Sequence, residues 1–151
     1  MKSSWLSYFE DPKPGLGPDE LDDLERQLGF GLPHSLRELY STLGGGRFRF
    51  GLFVDAEDTS YDLAELISVK PTALGRSFAV RYQDLVRNRR LIPEHLLFFA
   101  VESGGNFYCV DRGDESVWYA DMELGNDGLL PAPKRIADSL DAFLRAGQPS
   151  E

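Results

Sequence analysis

Three short apolar runs in the C-terminal half, residues 96–101, 107–111 and 117–121, constrain this chain more than any other feature of its sequence. They are separated only by Ser103-Gly104-Gly105-Asn106 and Arg112-Gly113-Asp114 and their immediate neighbours. Connections that short join antiparallel strands, because a parallel pair needs a crossover of about a dozen residues or more. Gly, Asn and Asp at such positions supply the positive φ angles of tight hairpin turns. The stretch is therefore expected to be a three-stranded meander.

The N-terminal half follows a different period. Pro18 suits a first helical turn, with Asp19 and Glu20 at its electropositive end. Leu21, Leu24 and Leu28 fall at i, i+3 and i+7, and Gly29 is placed to stop the helix. A second helix is expected from Pro33, with Leu36, Leu39, Tyr40 and Leu43 on one stripe and Gly44-Gly45-Gly46 as its stop. The Asp-Pro-Lys-Pro-Gly-Leu-Gly-Pro segment, 11–18, reads as a stiff, turn-rich lead-in. Residues 47–54 alternate, Phe48, Phe50, Leu52 and Val54 pointing one way and Arg47, Arg49 and Phe53 the other. Leu63, Leu66 and Ile67 suggest a short helix over 61–69. Phe78, Tyr82, Leu85 and Val86 suggest another, closed by Arg87, Arg89 and Arg90. Ile136, Leu140, Phe143 and Leu144 predict a last amphipathic helix, ended by Gly147 and Pro149. Strands grouped in hairpins and helices grouped apart from them predict an α+β fold: an antiparallel sheet of about four or more strands with helices packed on one face. A single domain over 1–151 is expected.

Charge narrows the function classes. Lys and Arg number 16 against 25 Asp and Glu, a net charge of −9. Such a surface repels nucleic acid and anionic membranes and favours basic partners. The opening residues carry no signal-peptide core, and no window is apolar enough to span a membrane. Cys109 is alone, which fits a reducing cytoplasm.

Catalytic and cofactor patterns fail on the residues. Gly44-Gly45-Gly46 follows a helix, whereas a phosphate cradle precedes one. Cys109 lies in an alternating strand and is expected to be a buried thiol. His34, in a first helical turn, and His95, after Pro93-Glu94, lack any motif, and with one cysteine they make no zinc site. A calcium loop from Asp111 would need Gly at its sixth and Glu at its twelfth position, where Ser116 and Met122 stand. No enzyme and no cofactor are expected. An unrecognised small enzyme would need a deep pocket holding His34 or His95.

Two longer segments carry a resemblance. One is Leu32-Pro-His-Ser-Leu-Arg-Glu-Leu-Tyr-Ser-Thr-Leu-Gly-Gly-Gly46, preceded by a helix ending Gln27-Leu28-Gly29. The other is Leu97-Phe-Phe-Ala-Val-Glu-Ser-Gly-Gly-Asn-Phe-Tyr-Cys-Val-Asp111, followed by Val117-Trp-Tyr-Ala-Asp121. With the closing Ala137-Asp-Ser-Leu-Asp-Ala-Phe-Leu144, their order and spacing resemble the SUKH superfamily, the Smi/Knr-type domain, over about residues 18–146. Gly44 stands where that family often has Asn, and the 55–92 middle is long. The resemblance implies an α+β domain without enzymatic activity. It further implies a bacterial immunity protein that neutralises a cognate toxin, often a nuclease or deaminase, or else a regulatory hub like the fungal relatives.

The acids are the expected means of binding. Asp55, Glu57, Asp58, Asp62 and Glu65 form one run, and Asp111, Asp114, Glu115, Asp121, Glu123 and Asp127 another, relieved by Arg112 alone. Arg76, Arg81, Arg87, Arg89 and Arg90 reverse the sign in between. The candidate partner-binding residues are Asp55, Glu57, Asp58, Asp111, Asp114, Glu115, Asp121 and Glu123, with Trp118 or Tyr119 as an aromatic anchor. Alternation lets only one of those two rings face the partner. The competing reading makes the acids a solvated face, Trp118 a core residue and Asp111 the cap of the Arg112-Gly113 turn.

Overall fold

The computed structural model describes residues 5–49, 51–54, 57, 59–63, 65–70, 78–102, 104–125 and 127–148. A short turn, Leu6–Tyr8, leads into β1 (Phe9–Pro14). The expected lead-in is thus largely an edge strand. Phe9 pairs with Phe48 and Glu10 with Arg47, and Phe9 is buried. Pro12 and Pro14 lack an N–H, which an edge strand tolerates because one of its sides makes no ladder.

Helices α1 (Pro18–Leu28) and α2 (His34–Thr42) form where the apolar spacing places them, except that Leu43, expected on the stripe of α2, is extended and begins the next strand. The Glu20 carboxylate accepts from the Gly17 amide at 3.0 Å, and Gly29, at φ 89°, closes α1. Arg37 ties the two helices by reaching Asp22 at 2.9 Å and Glu25 at 3.0 Å.

β2 (Leu43–Phe48) follows α2 directly, and this overturns the reading of Gly44-Gly45-Gly46 as a helix stop and turn. The three glycines are strand. A Cβ on Gly44 would lie 2.7 Å from the Pro14 carbonyl oxygen, and one on Gly45 would lie 2.5 Å from Ser68 Oγ. They are there for close approach of backbone, the usual meaning of glycine inside a strand.

The expected single strand over 47–54 is two. β2 ends at Phe48, where Arg49 donates its amide to Tyr8, and β3 (Leu52–Val54) belongs to another sheet. Phe53, expected on the arginine side, is 2% exposed. β4 (Ser60–Asp62) and β5 (Glu65–Leu66) replace the helix expected over 61–69. Buried Tyr61 and Leu63 flank exposed Asp62, so a period of two underlies a spacing that also fits a helix.

α3 (Phe78–Tyr82) widens into a π-type turn, Gln83–Asn88. From that turn Arg87 donates to the Leu28 carbonyl at the end of α1. The meander is as expected: β6 (Leu96–Val101), β7 (Phe107–Asp111) and β8 (Val117–Ala120). β9 (Lys134–Ala137) precedes α4 (Leu140–Arg145), so Ile136 is strand and not the first turn of the last helix. Ser139 resets the chain by accepting from the Ala142 amide at 3.1 Å. β10 (Gly147–Gln148) pairs with β3.

Among the described residues, seven strands form an antiparallel sheet in the order β1-β2-β5-β6-β7-β8-β9, and three form a second in the order β10-β3-β4. This is an α+β fold. Helices on one face alone were expected, but both faces of the large sheet are covered. Phe98 turns toward Phe78 and Tyr82 of α3, and Tyr40 of α2 meets Phe78 edge-on. Phe99, the next residue, turns toward Phe143 of α4. Phe143 also contacts Phe48, Phe53 and Tyr108, and so joins the two sheets.

Candidate interaction surface

The β7–β8 connection consumes most of its acids in holding its own shape. Asp111 Oδ1 accepts from the Gly113 amide at 2.7 Å, the turn cap that competed with the binding role. Asp114 Oδ1 accepts from the Ser116 amide at 2.9 Å and from its hydroxyl at 2.6 Å. The Ser116 hydroxyl, then its amide, hold the Asp114 carboxyl below the usual range. Ser116 Oγ in turn accepts from Trp118 Nε1 at 2.8 Å.

Glu115, not Gly113, adopts the left-handed conformation, at φ 63°. Its carboxylate reaches the Ser35 amide at 2.8 Å, at the start of α2. That helix has Pro33 at its N-cap and no side-chain cap of its own, so Glu115 supplies one from another part of the chain. Arg112, the lone base of this acidic run, does not pair with the run's carboxylates. It stacks over Phe30, 3.6 Å from the ring centre, and donates to the Glu94 carbonyl.

Trp118 and Tyr119 divide the two sheet faces, as alternation requires. Trp118, half-buried, sits edge-on to His95 at 6.4 Å beside the acidic turn. Tyr119 turns inward to Tyr61 and Tyr108, with ring centres 4.8 and 5.4 Å away, and accepts from Asn106 Nδ2 at 2.9 Å. Burial pushes the Tyr119 hydroxyl up from its ordinary pKa. Trp118 lies beside the Asp114 turn, and Tyr119 lies beside Glu102 and Asp121.

The remaining acids gather at the opposite end of β8. Asp121 accepts from the Glu123 amide at 2.8 Å, and Asn106 Oδ1 accepts from the Met122 amide at 2.6 Å. Glu57 pairs at 3.0 Å with Lys134, which lies opposite Tyr119 in the ladder. Asp55 and Asp58 fall outside the described residues. The set named from sequence therefore splits into two clusters: Asp111, Asp114, Glu115 and Trp118 at one end, Glu57, Asp121 and Glu123 at the other. The strand between them is about 13 Å long at ~3.3 Å per residue.

Sequence reasoning missed Leu124 and Leu129, which are 61% and 66% exposed. The available signal was a pair of leucines inside an acidic, glycine-containing stretch with neither helical nor strand periodicity.

The histidine-centred alternative fails its own requirement. His34 borders a cleft of about 320 Å³, but its side chain is 78% exposed and its Nε2 lies 2.7 Å from Glu38. His95 is exposed as well. Cys109 is buried, and burial pushes its thiol pKa above the ordinary range, the opposite of an activated nucleophile. Among the described residues, no group of three or more His, Cys, Asp or Glu side chains is placed to hold a metal ion, and no helix is long and apolar enough to cross a membrane.

The geometry defines an α+β domain whose candidate site is an outer, acidic, aromatic-edged surface. The chain belongs to the SMI1 / KNR4 family (SUKH-1), whose model matches residues 15–146. No curated protein matches the chain.

Proposed function

We propose that this chain is a single-domain, non-enzymatic immunity protein that binds a cognate bacterial toxin in the cytoplasm and neutralises it by covering it. The observation that carries this reading is membership of the SMI1 / KNR4 family (SUKH-1) over residues 15–146. The net charge of −9 supports a mechanism. A toxin that acts on nucleic acid presents a basic surface, and carboxylates that take the place of phosphates steer the encounter and complement the docked face. Asp55, Glu57, Asp58, Asp111, Asp114, Trp118, Asp121 and Glu123 are the proposed contacts. Glu115 contributes through the shape of the hairpin. No cofactor takes part.

The test is capture of the tagged chain from its native lysate, at low and at raised salt. The expected result is one basic protein in near-equal amount, released as salt rises, toxic when expressed alone and harmless beside this chain. Several endogenous partners, none of them toxic, would replace this reading with that of a regulatory adaptor.

A further inference from the structure

The segment after β8 presents apolar surface where the fold has no use for it. Leu124 and Leu129, at 61% and 66% exposure, are the most exposed large apolar residues among those described. Single apolar residues scattered on a surface are ordinary, but these two share one turn. The Gly125 amide donates to the Leu129 carbonyl at 2.8 Å, and the Gly128 amide to the Gly125 carbonyl at 3.0 Å. Leu124 adjoins the donor of the first bond and Leu129 provides its acceptor, so the leucines flank one hydrogen bond. Gly128, at φ 76°, makes the reversal. The base of the turn is held by Asn106, which accepts from the Met122 amide at 2.6 Å.

Its charge selects the occupant. Residues 121–133 contain Asp121, Glu123 and Asp127 and no Lys or Arg. We propose that Leu124 and Leu129 form the apolar point of a docking tip for a basic protein, one that offers an apolar recess rimmed by Lys or Arg. This rests on the reading of the chain as a binder of a basic partner, and adds the apolar half of that contact. The acids bring the two surfaces together and set their orientation, and burial of the leucines slows their separation. The same acids oppose an anionic lipid surface, the other destination for exposed leucines.

The probe is a short synthetic amphipathic peptide of lysine and leucine, added to the full chain carrying labelled leucine methyl groups. An oligolysine of equal charge, a glutamate–leucine peptide and anionic vesicles serve as comparisons. The Leu124 and Leu129 methyl signals are expected to shift with the lysine–leucine peptide alone, less so as salt rises. The double variant L124S/L129S is expected to lose about tenfold or more in affinity while melting at the wild-type temperature. Unchanged affinity of that variant, shifts confined to other leucines, equal binding of oligolysine, or the same shifts with vesicles would each overturn the proposal. The peptide reads the surface whether or not the natural partner is a toxin. A failure here leaves the toxin reading standing, and a harmless natural partner leaves this surface standing.

Discussion

Asp114 and Glu115 are adjacent acids with different work, and neither role is visible in their composition. Asp114 is exposed and serves Ser116 from both oxygen-accepting directions of one atom. Because its folded pKa lies below the unfolded value, its contribution to stability is present above the ordinary Asp range and is lost as pH falls through the depressed value. Ser116→Ala is expected to move the Asp114 carboxyl back up toward the ordinary Asp range, read by NMR titration of the side-chain carbonyl. A wild-type carboxyl already titrating in that range would mean that the Ser116 hydroxyl does not hold it down. Glu115 caps α2 from the distant hairpin. Glu115→Ala is expected to cost about 1 kcal/mol in urea unfolding, the usual loss for a helix cap. If stability is unchanged and only partner binding falls, Glu115 is a contact after all.

At the level of elements, the helices α1 and α2 were legible because their signals are local. Pro18, the following acids, the leucine spacing and Gly29 all lie within the element they specify. The β6–β7–β8 meander was legible for the same reason, since its turns are written between its strands. The glycine run was not. Gly44 and Gly45 read as a turn until β1 and Ser68 are placed against them. That difference is measurable. Gly44→Ala is expected to lower the melting point by the equivalent of about 1–3 kcal/mol, the range for forcing extra atoms into a packed site. At a helix stop facing solvent the same change would be nearly silent. The segment 61–69 shows the other kind of ambiguity. Leu63, Leu66 and Ile67 satisfy a helical spacing, while Tyr61 and Leu63 also satisfy a strand, and pairing with β3, β2 and β6 decides between them.

For the whole molecule, Phe143 is the joint between layers. One ring meets Phe48, Phe53, Phe99 and Tyr108, residues drawn from both sheets. Phe143→Ala is expected to cost about 3–5 kcal/mol in a denaturant melt, a large part of the ~5–15 kcal/mol that holds a domain together. A loss below about 1 kcal/mol would mean that the second sheet is not packed on α4 as described. The candidate surface was legible as a list of acids, and its division into two clusters was not. By itself the sequence determined helices α1 and α2, the hairpin meander, the α+β class and the excess of negative charge, because each depends on residues near one another or on simple counting. Only the tertiary structure decided that the glycines are strand, that both sheet faces are covered, that Glu115 caps a helix and that Leu124 and Leu129 stand in solvent. Those outcomes depend on which distant segments meet, and a local pattern of apolar and charged residues carries no record of that.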